Sequence, residues 1–187
     1  MRKTDARSER TVKAIKDALL VLMADKPFAQ VGVSEVARTA GITRPTFYAH
    51  YANLEDVFED LVHDFQRETR SLRSQLGSAC GGCAPSARRP FCALVREEGR
   101  FAPLVRDPHF FNVFMTAAPE VLDLDVYGEL IDAGLPREVA EAVHTFQMSG
   151  CYAAASSAPG GCDWARVQAA LDTFIRGGVQ ALRASGA

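Results

Sequence analysis

The sequence predicts an all-α protein in two parts: a three-helix N-terminal head and a larger helical body. Two observations carry this. Apolar residues recur at three- and four-residue spacing through most of the 187 residues, the helical period, while strand signals are scarce. Charge also divides the chain. Residues 1–53 hold nine Lys and Arg against five Asp and Glu, whereas residues 54–187 hold twelve against eighteen. The net charge of −2 says nothing of an anionic partner, but this asymmetry marks the head as the place to look for one. The expected division is therefore 1–53 and 54–187.

The first helix is expected near residues 8–24, with Val12, Ile15, Leu19 and Leu22 as its apolar stripe, and Lys26-Pro27 stops it. A short second helix, about 34–40, turns Val36, Ala37 and Ala40 inward. Gly41 ends it in the left-handed conformation that glycine adopts without cost. Thr43 caps a third helix, about 44–50, which tolerates Pro45 in its first turn. Asn53 opens a fourth, with Asp56 three residues on as a short-armed capping box. Its stripe is Leu54, Val57, Phe58, Leu61, Val62 and Phe65, and it runs to about Leu76. Three glycines and two prolines make 77–90 a loop. Later helices are expected near 90–99, 101–106, 108–132 (with a kink at Pro119), 136–158 and 163–184, with "APGGCD" as the turn before the last.

No apolar run approaches the 18 residues of a membrane span, and the charged N-terminus does not read as a signal peptide. The expected location is the cytoplasm. Five cysteines, an odd number in a chain this long, do not read as a disulfide framework.

Helix, short turn, helix over residues 34–50 is the skeleton of a helix-turn-helix DNA reader. Small Ala37 allows close helix approach, Gly41 permits the turn and Phe47 fills the space between. A helical hairpin that never meets DNA satisfies those needs too. The surface residues bear on the choice. The second helix of such a motif enters the major groove N-terminus first, and here that end holds Thr43, Arg44, Pro45 and Thr46. Arginine pairs two ways with guanine, and threonine bonds a base edge or touches a thymine methyl. Tyr48 and His50 suit phosphates, which position a reader without reading sequence. The plainer alternative makes Thr43 only a cap and Tyr48 only a packing residue; the basic head favours DNA.

The stretch "VSEVARTAGITRPTFYAHYANLEDVF" resembles the TetR family of bacterial transcription regulators, through the "VA…AG" of helix 2, the "TFYAHY" of helix 3 and the acidic, apolar start of helix 4. The resemblance covers about residues 10–56, a quarter of the chain. It implies a homodimer with two DNA-reading heads and a C-terminal domain that binds a small effector. It also implies that Ser34, Thr43, Arg44, Pro45, Thr46, Ala49 and His50 face double-stranded operator DNA while Tyr48 holds a phosphate. Leu54 stands where many members have a backbone-contacting Lys, and Gly32 where a Thr cap is common. Arg2, Lys3, Arg7 and Arg10 are the other candidates for phosphate contact.

The last helix carries Trp164, Val167, Leu171, Phe174, Gly178 and Leu182 in one seam. The helix before it carries Val139, Val143, Phe146, Gly150, Ala153 and Ala154. Such seams either bury within one chain or pair two chains in a four-helix bundle. The resemblance implies the dimer and, by symmetry, a palindromic operator. Residues 101–115 are rich in phenylalanine. If the implied effector site lies here, Phe101, Phe110 and Phe114, with Met148, Tyr152 and Phe146 from the next helix, suit a flat apolar or aromatic ligand. His109, Asn112, His144 and Gln147 would orient it, although each of these residues also suits ordinary core.

"CGGC", Cys80 to Cys83, has the spacing of a redox pair or half a zinc site, but no strand is visible before it and no helix after it; no second CxxC exists to complete a metal set, for which Cys92 is near in sequence and His63 and His109 are further candidates. An incidental loop fits as well. The competing functional class is thus a thiol-based redox sensor or thiol-disulfide oxidoreductase. No nucleophile triad, phosphate loop or paired-acid constellation stands out, so neither an enzyme, a cofactor nor a metal is expected.

Overall fold

A computed structural model describes residues 3–78, 91–116, 130–132 and 134–185. Every regular element among them is helical: α1 (Lys3–Met23), a 3-10 turn (Phe28–Gln30), α2 (Val33–Thr39), α3 (Arg44–Tyr48), α4 (Leu54–Ser78), α5 (Phe91–Val95), α6 (Ala102–Arg106), α7 (Phe110–Thr116), α8 (Arg137–Ser157) and α9 (Trp164–Ser185). The sequence-predicted helices are present where they fall among the described residues, and most described boundaries lie within about two residues of expectation; α1 starts five residues earlier, and of the helix expected over 108–132 only 108–116 and 130–132 are described. The helix expected over 90–99 is shorter, because Arg96 leaves it before Gly99. Of the loop expected over 77–90, residues 77–78 still belong to α4, while 79–90, with Cys80 and Cys83, lie outside the described residues, as does the expected kink at Pro119.

The chain forms two compact units. The first comprises residues 1–75 and 98–117, and the second 76–97 and 118–187. The first therefore extends beyond the 1–53 head, taking in most of α4 together with α6 and α7.

In the first unit the predicted stripes are the core. Ile15 and Leu19 of α1, Val36 and Ala37 of α2, Phe47 of α3, and Val57, Phe58, Leu61, Val62 and Phe65 of α4 are all buried. Each large side chain removed from water contributes about 1.5–3 kcal/mol, so this face, not helix propensity, holds short α2 and α3 in place. α1 packs on α2 and α6, and α2 packs on α3. An aromatic cluster joins α4 to the later helices: Phe65 meets Phe101, Phe110 and Phe114 edge-on at 5.7, 5.4 and 6.2 Å between ring centres.

In the second unit α5 packs on α8. Leu130, Leu135, Ala140 and Val179 form a buried cluster, with Val139, Val143 and Leu182 packed against it. Arg96 lies over the Trp164 ring at 4.7 Å and donates to the Ala155 carbonyl at 3.2 Å. That contact is a cation–π pair with its remaining hydrogens put to use.

Candidate nucleic-acid interface

The turn between α2 and α3 is set by Gly41. Its φ of +68° lies in the left-handed region. The Gly41 amide donates to Arg38 carbonyl (3.1 Å) and the Ile42 amide to Ala37 carbonyl (2.9 Å). These two bonds make a Schellman ending, which satisfies carbonyls the helix end would otherwise leave open. Thr43 then starts α3: its Oγ1 accepts from the Thr46 amide at 3.3 Å and lies 2.8 Å from Thr46 Oγ1. Pro45 sits in the first turn, where no amide is missed.

α3 has two chemically distinct sides. Phe47 is fully buried, its ring meeting Tyr48 edge-on at 5.5 Å and Tyr51 at 6.2 Å. Thr43, Arg44, Pro45, Tyr48 and Ala49 are exposed, and Thr46 and His50 are half-buried. Ser34, in the first turn of α2, is exposed as well. Among the described residues, none forms a hydrogen bond or ion pair with the exposed Arg44 side chain. Near the same turn, Arg7, Arg10, Thr11 and Ala14 of α1 line a shallow surface depression with Ile42. Two basic side chains of α1 therefore stand beside the helix-turn-helix. Arg2 lies outside the described residues, as does the side chain of Lys3.

Residues 15–61 match the family model of bacterial regulatory proteins of the tetR family. That segment is a tetR-type domain, about a quarter of the chain. Relatives agree on the same region. The uncharacterised HTH-type transcriptional regulator YxbF of Bacillus subtilis is 37% identical over 59 residues, 31% of this chain and 16% of that protein. YdgC of the same organism, also an uncharacterised HTH-type transcriptional regulator, is 37% identical over 49 residues, 26% of this chain and 25% of its own. An uncharacterised HTH-type regulator of Haemophilus influenzae is 34% identical over 68 residues, 36% and 33% of the two chains. The matches span a third or less of each relative.

The tetR-type head is fixed to α4 by a polar network that the sequence reading missed. Lys16 of α1 is only 8% exposed, and its ammonium reaches Asp64 at 2.6 Å and Asp60 at 3.2 Å. Asp60 also accepts from the Tyr51 hydroxyl at 2.6 Å, and Arg67 pairs with Asp64. Burial pushes the Asp64 carboxyl up, but Lys16 and Arg67 outweigh it and hold it below its ordinary value of 3.8. Burial, then the bond to Asp60, pushes Tyr51 far up, so the phenol keeps its proton. Tyr51 is half-buried because its ring packs while its hydroxyl serves this network. The missed signal was a lysine beside the α1 stripe, with aspartates four residues apart on α4 to meet it.

The two α-helical starts nearby are secured differently. Gly32 brings no side chain to cap α2; instead Glu35 accepts from the Gly32 amide at 3.0 Å and from Lys26 at 2.8 Å. The Lys26 ammonium, then that amide, draws the Glu35 carboxyl below its ordinary value of 4.5. At α4, Asn53 accepts from the Asp56 amide at 3.0 Å, while Asp56 returns to the Ala52 amide rather than to that of Asn53.

The proposed effector residues fall in different surroundings. In the first unit Phe101, Phe110 and Phe114 are buried in the aromatic cluster, and Asn112 is exposed. His109 stacks on Phe28 at 5.5 Å, meets Phe58 at 5.0 Å and pairs with Glu55. Buried Asp107 accepts from the amides of Phe28 (2.8 Å) and His109 (2.9 Å). Those contacts give His109 a structural duty between the 3-10 turn and α4. In the second unit His144 and Met148 are buried, and Gln147 and Tyr152 are half-buried. Burial pushes His144 down, toward the neutral imidazole. Phe146, read both as an effector-facing residue and as part of the α8 seam, is 70% exposed: it lies on the side of α8 opposite buried His144 and Met148, away from that group.

The predicted seam also divides. Val143 and Leu182 pack on a core inside the second unit, and Trp164 and Leu171 are half-buried. Gly150, Val167, Phe174 and Gly178 are exposed. Among the described residues no three His, Cys, Asp or Glu side chains come together as a metal site, and no helix is long and apolar enough to cross a membrane.

Proposed function

We propose that the chain is a ligand-responsive DNA-binding transcription regulator, a cytoplasmic homodimer that represses from a palindromic operator until a small apolar or aromatic effector releases it. The observation that carries the reading is the two-sided α3: one buried anchor, Phe47, opposite an exposed row of Thr43, Arg44, Pro45, Tyr48 and Ala49. Residues 1–53 read DNA in this proposal, and 54–187 bind the effector and dimerise. Arg44 reads a guanine, Thr43 and Thr46 touch base edges, and Ser34, Tyr48 and His50 join Arg7 and Arg10 on phosphates.

Selection of bound sequences from a random duplex pool tests this. The expected result is an enriched palindrome, with Arg44→Ala weakening that operator by about 1–3 kcal/mol and relaxing one position in each half-site. Absence of enrichment, or equal affinity of the two proteins, refutes the assignment.

The dimer is supported by the exposed apolar side chains of the second unit, where Phe146 is 70% and Phe174 69% exposed. Phenylalanines left in water on two long helices suit a partner surface. Phe146→Glu with Phe174→Glu is expected to give a monomer of unchanged helical circular dichroism, because neither ring supports the core of its own chain. A dimer that survives both changes in sedimentation refutes the seam.

A further inference from the structure

Two thiols of the second unit meet inside it. Cys92 lies on α5 and Cys151 on α8, two helices packed on each other. Both are free thiols, 2% and 7% exposed. The two thiols lie near enough for a side-chain hydrogen bond between them to shift both titrations. A buried cysteine that only fills space rests against hydrocarbon. Here two buried thiols from two packed helices interact, so one can displace a leaving group from the other without either helix travelling far.

We propose that Cys92 and Cys151 form a dithiol site that a small uncharged peroxide oxidises to a disulfide joining α5 to α8. The Cys92 thiolate attacks one oxygen of hydrogen peroxide. The O–O bond breaks, leaving a sulfenic acid on Cys92 and, after protonation, one water. Cys151 then attacks the Cys92 sulfur and gives up its proton. The S–O bond breaks, the S–S bond forms and a second water leaves. Two thiols lose two electrons, and peroxide is reduced to two waters.

The roles follow from the hydrogen bond. It draws Cys92 below the ordinary thiol value against the opposing effects of burial and the Asp172 charge, and it pushes Cys151 up. Cys92 is thus the attacking sulfur and Cys151 the resolving one. Burial sets the oxidant class. Peroxide is small and neutral enough to reach sulfurs this enclosed, whereas glutathione disulfide is large and charged. The inference does not depend on DNA reading.

The test uses the full chain carrying Cys80→Ser, Cys83→Ser and Cys162→Ser, which leaves this pair alone. Hydrogen peroxide followed by non-reducing peptide mapping is expected to give a linked Cys92–Cys151 peptide that a thiol reductant separates. With Cys151→Ser added, the link disappears and a dimedone adduct appears on Cys92. Glutathione disulfide is expected to leave the folded protein unmodified. Both thiols staying reduced in peroxide, or a glutathione adduct on Cys92, overturns the proposal. If the serine background does not fold, the same map on the unaltered chain decides it: a Cys92–Cys151 link supports the site, and links from either residue only to other cysteines overturn it.

Discussion

Lys16→Ala is expected to destabilise the first unit by about 3 kcal/mol, the lower end for a broken buried ion pair. The estimate rests on what is left behind. Asp64, with its side chain 15% exposed, loses the ammonium at 2.6 Å, and Asp60 loses the one at 3.2 Å. Asp60 is 35% exposed and keeps Tyr51 as a donor, so water and the phenol offset part of its loss. Asp64 keeps only Arg67, whose side chain is 73% exposed. Urea unfolding measures the loss, and adding Asp64→Asn is expected to recover about 1 kcal/mol by removing the stranded charge. A cost under about 0.5 kcal/mol for Lys16→Ala would show that the pair is only a surface contact.

The same pair sets an acid dependence. The folded Asp64 value is depressed, so its contribution is full above the ordinary value of 3.8 and is lost as pH falls through the lower folded value. Below about pH 4 the parent is therefore expected to lose more stability than Lys16→Ala. Equal acid slopes for the two proteins would remove Lys16 as the partner that matters.

What the sequence showed and hid follows from the kind of signal each feature carries. The helices of the head were legible because their order is local: period, cap and glycine turn all fall within four residues of what they control. Thr43, Gly41 and Asn53 each do the local task read for them. Lys16, Asp107 and His109 were not legible in this way, since their partners lie 44 or more, 79 and 54 residues away. A charged side chain looks like a solvated face until the chain brings its counter-ion. Phe146 misled for a related reason. Its apolarity announced burial, but α8 has apolar residues on more than one side, so period alone did not choose which side packs within the chain. The thiol pair was hidden by distance as well: "CGGC" draws the eye by spacing, whereas Cys92 and Cys151 come together only through the packing of α5 on α8.

Phe47→Ala is expected to cost about 3–5 kcal/mol and to abolish specific DNA binding altogether. Phe47 is the one buried residue of α3, a helix of five residues that has too few turns to persist without an anchor. Its removal leaves a cavity facing Tyr48 and Tyr51 and frees the helix whose exposed row is proposed to read DNA. Phe47→Leu keeps most of the volume and is expected to cost under about 1.5 kcal/mol, with the operator still bound. Arg44→Ala supplies the contrast. Arg44 is exposed, so its loss is expected to leave stability within about 0.5 kcal/mol of the parent while weakening the operator. The three proteins therefore separate anchoring from reading: thermal unfolding should respond to position 47 and operator affinity to both. If Phe47→Ala bound the operator with parental affinity, α3 would not be the reading helix, whatever its cost in stability.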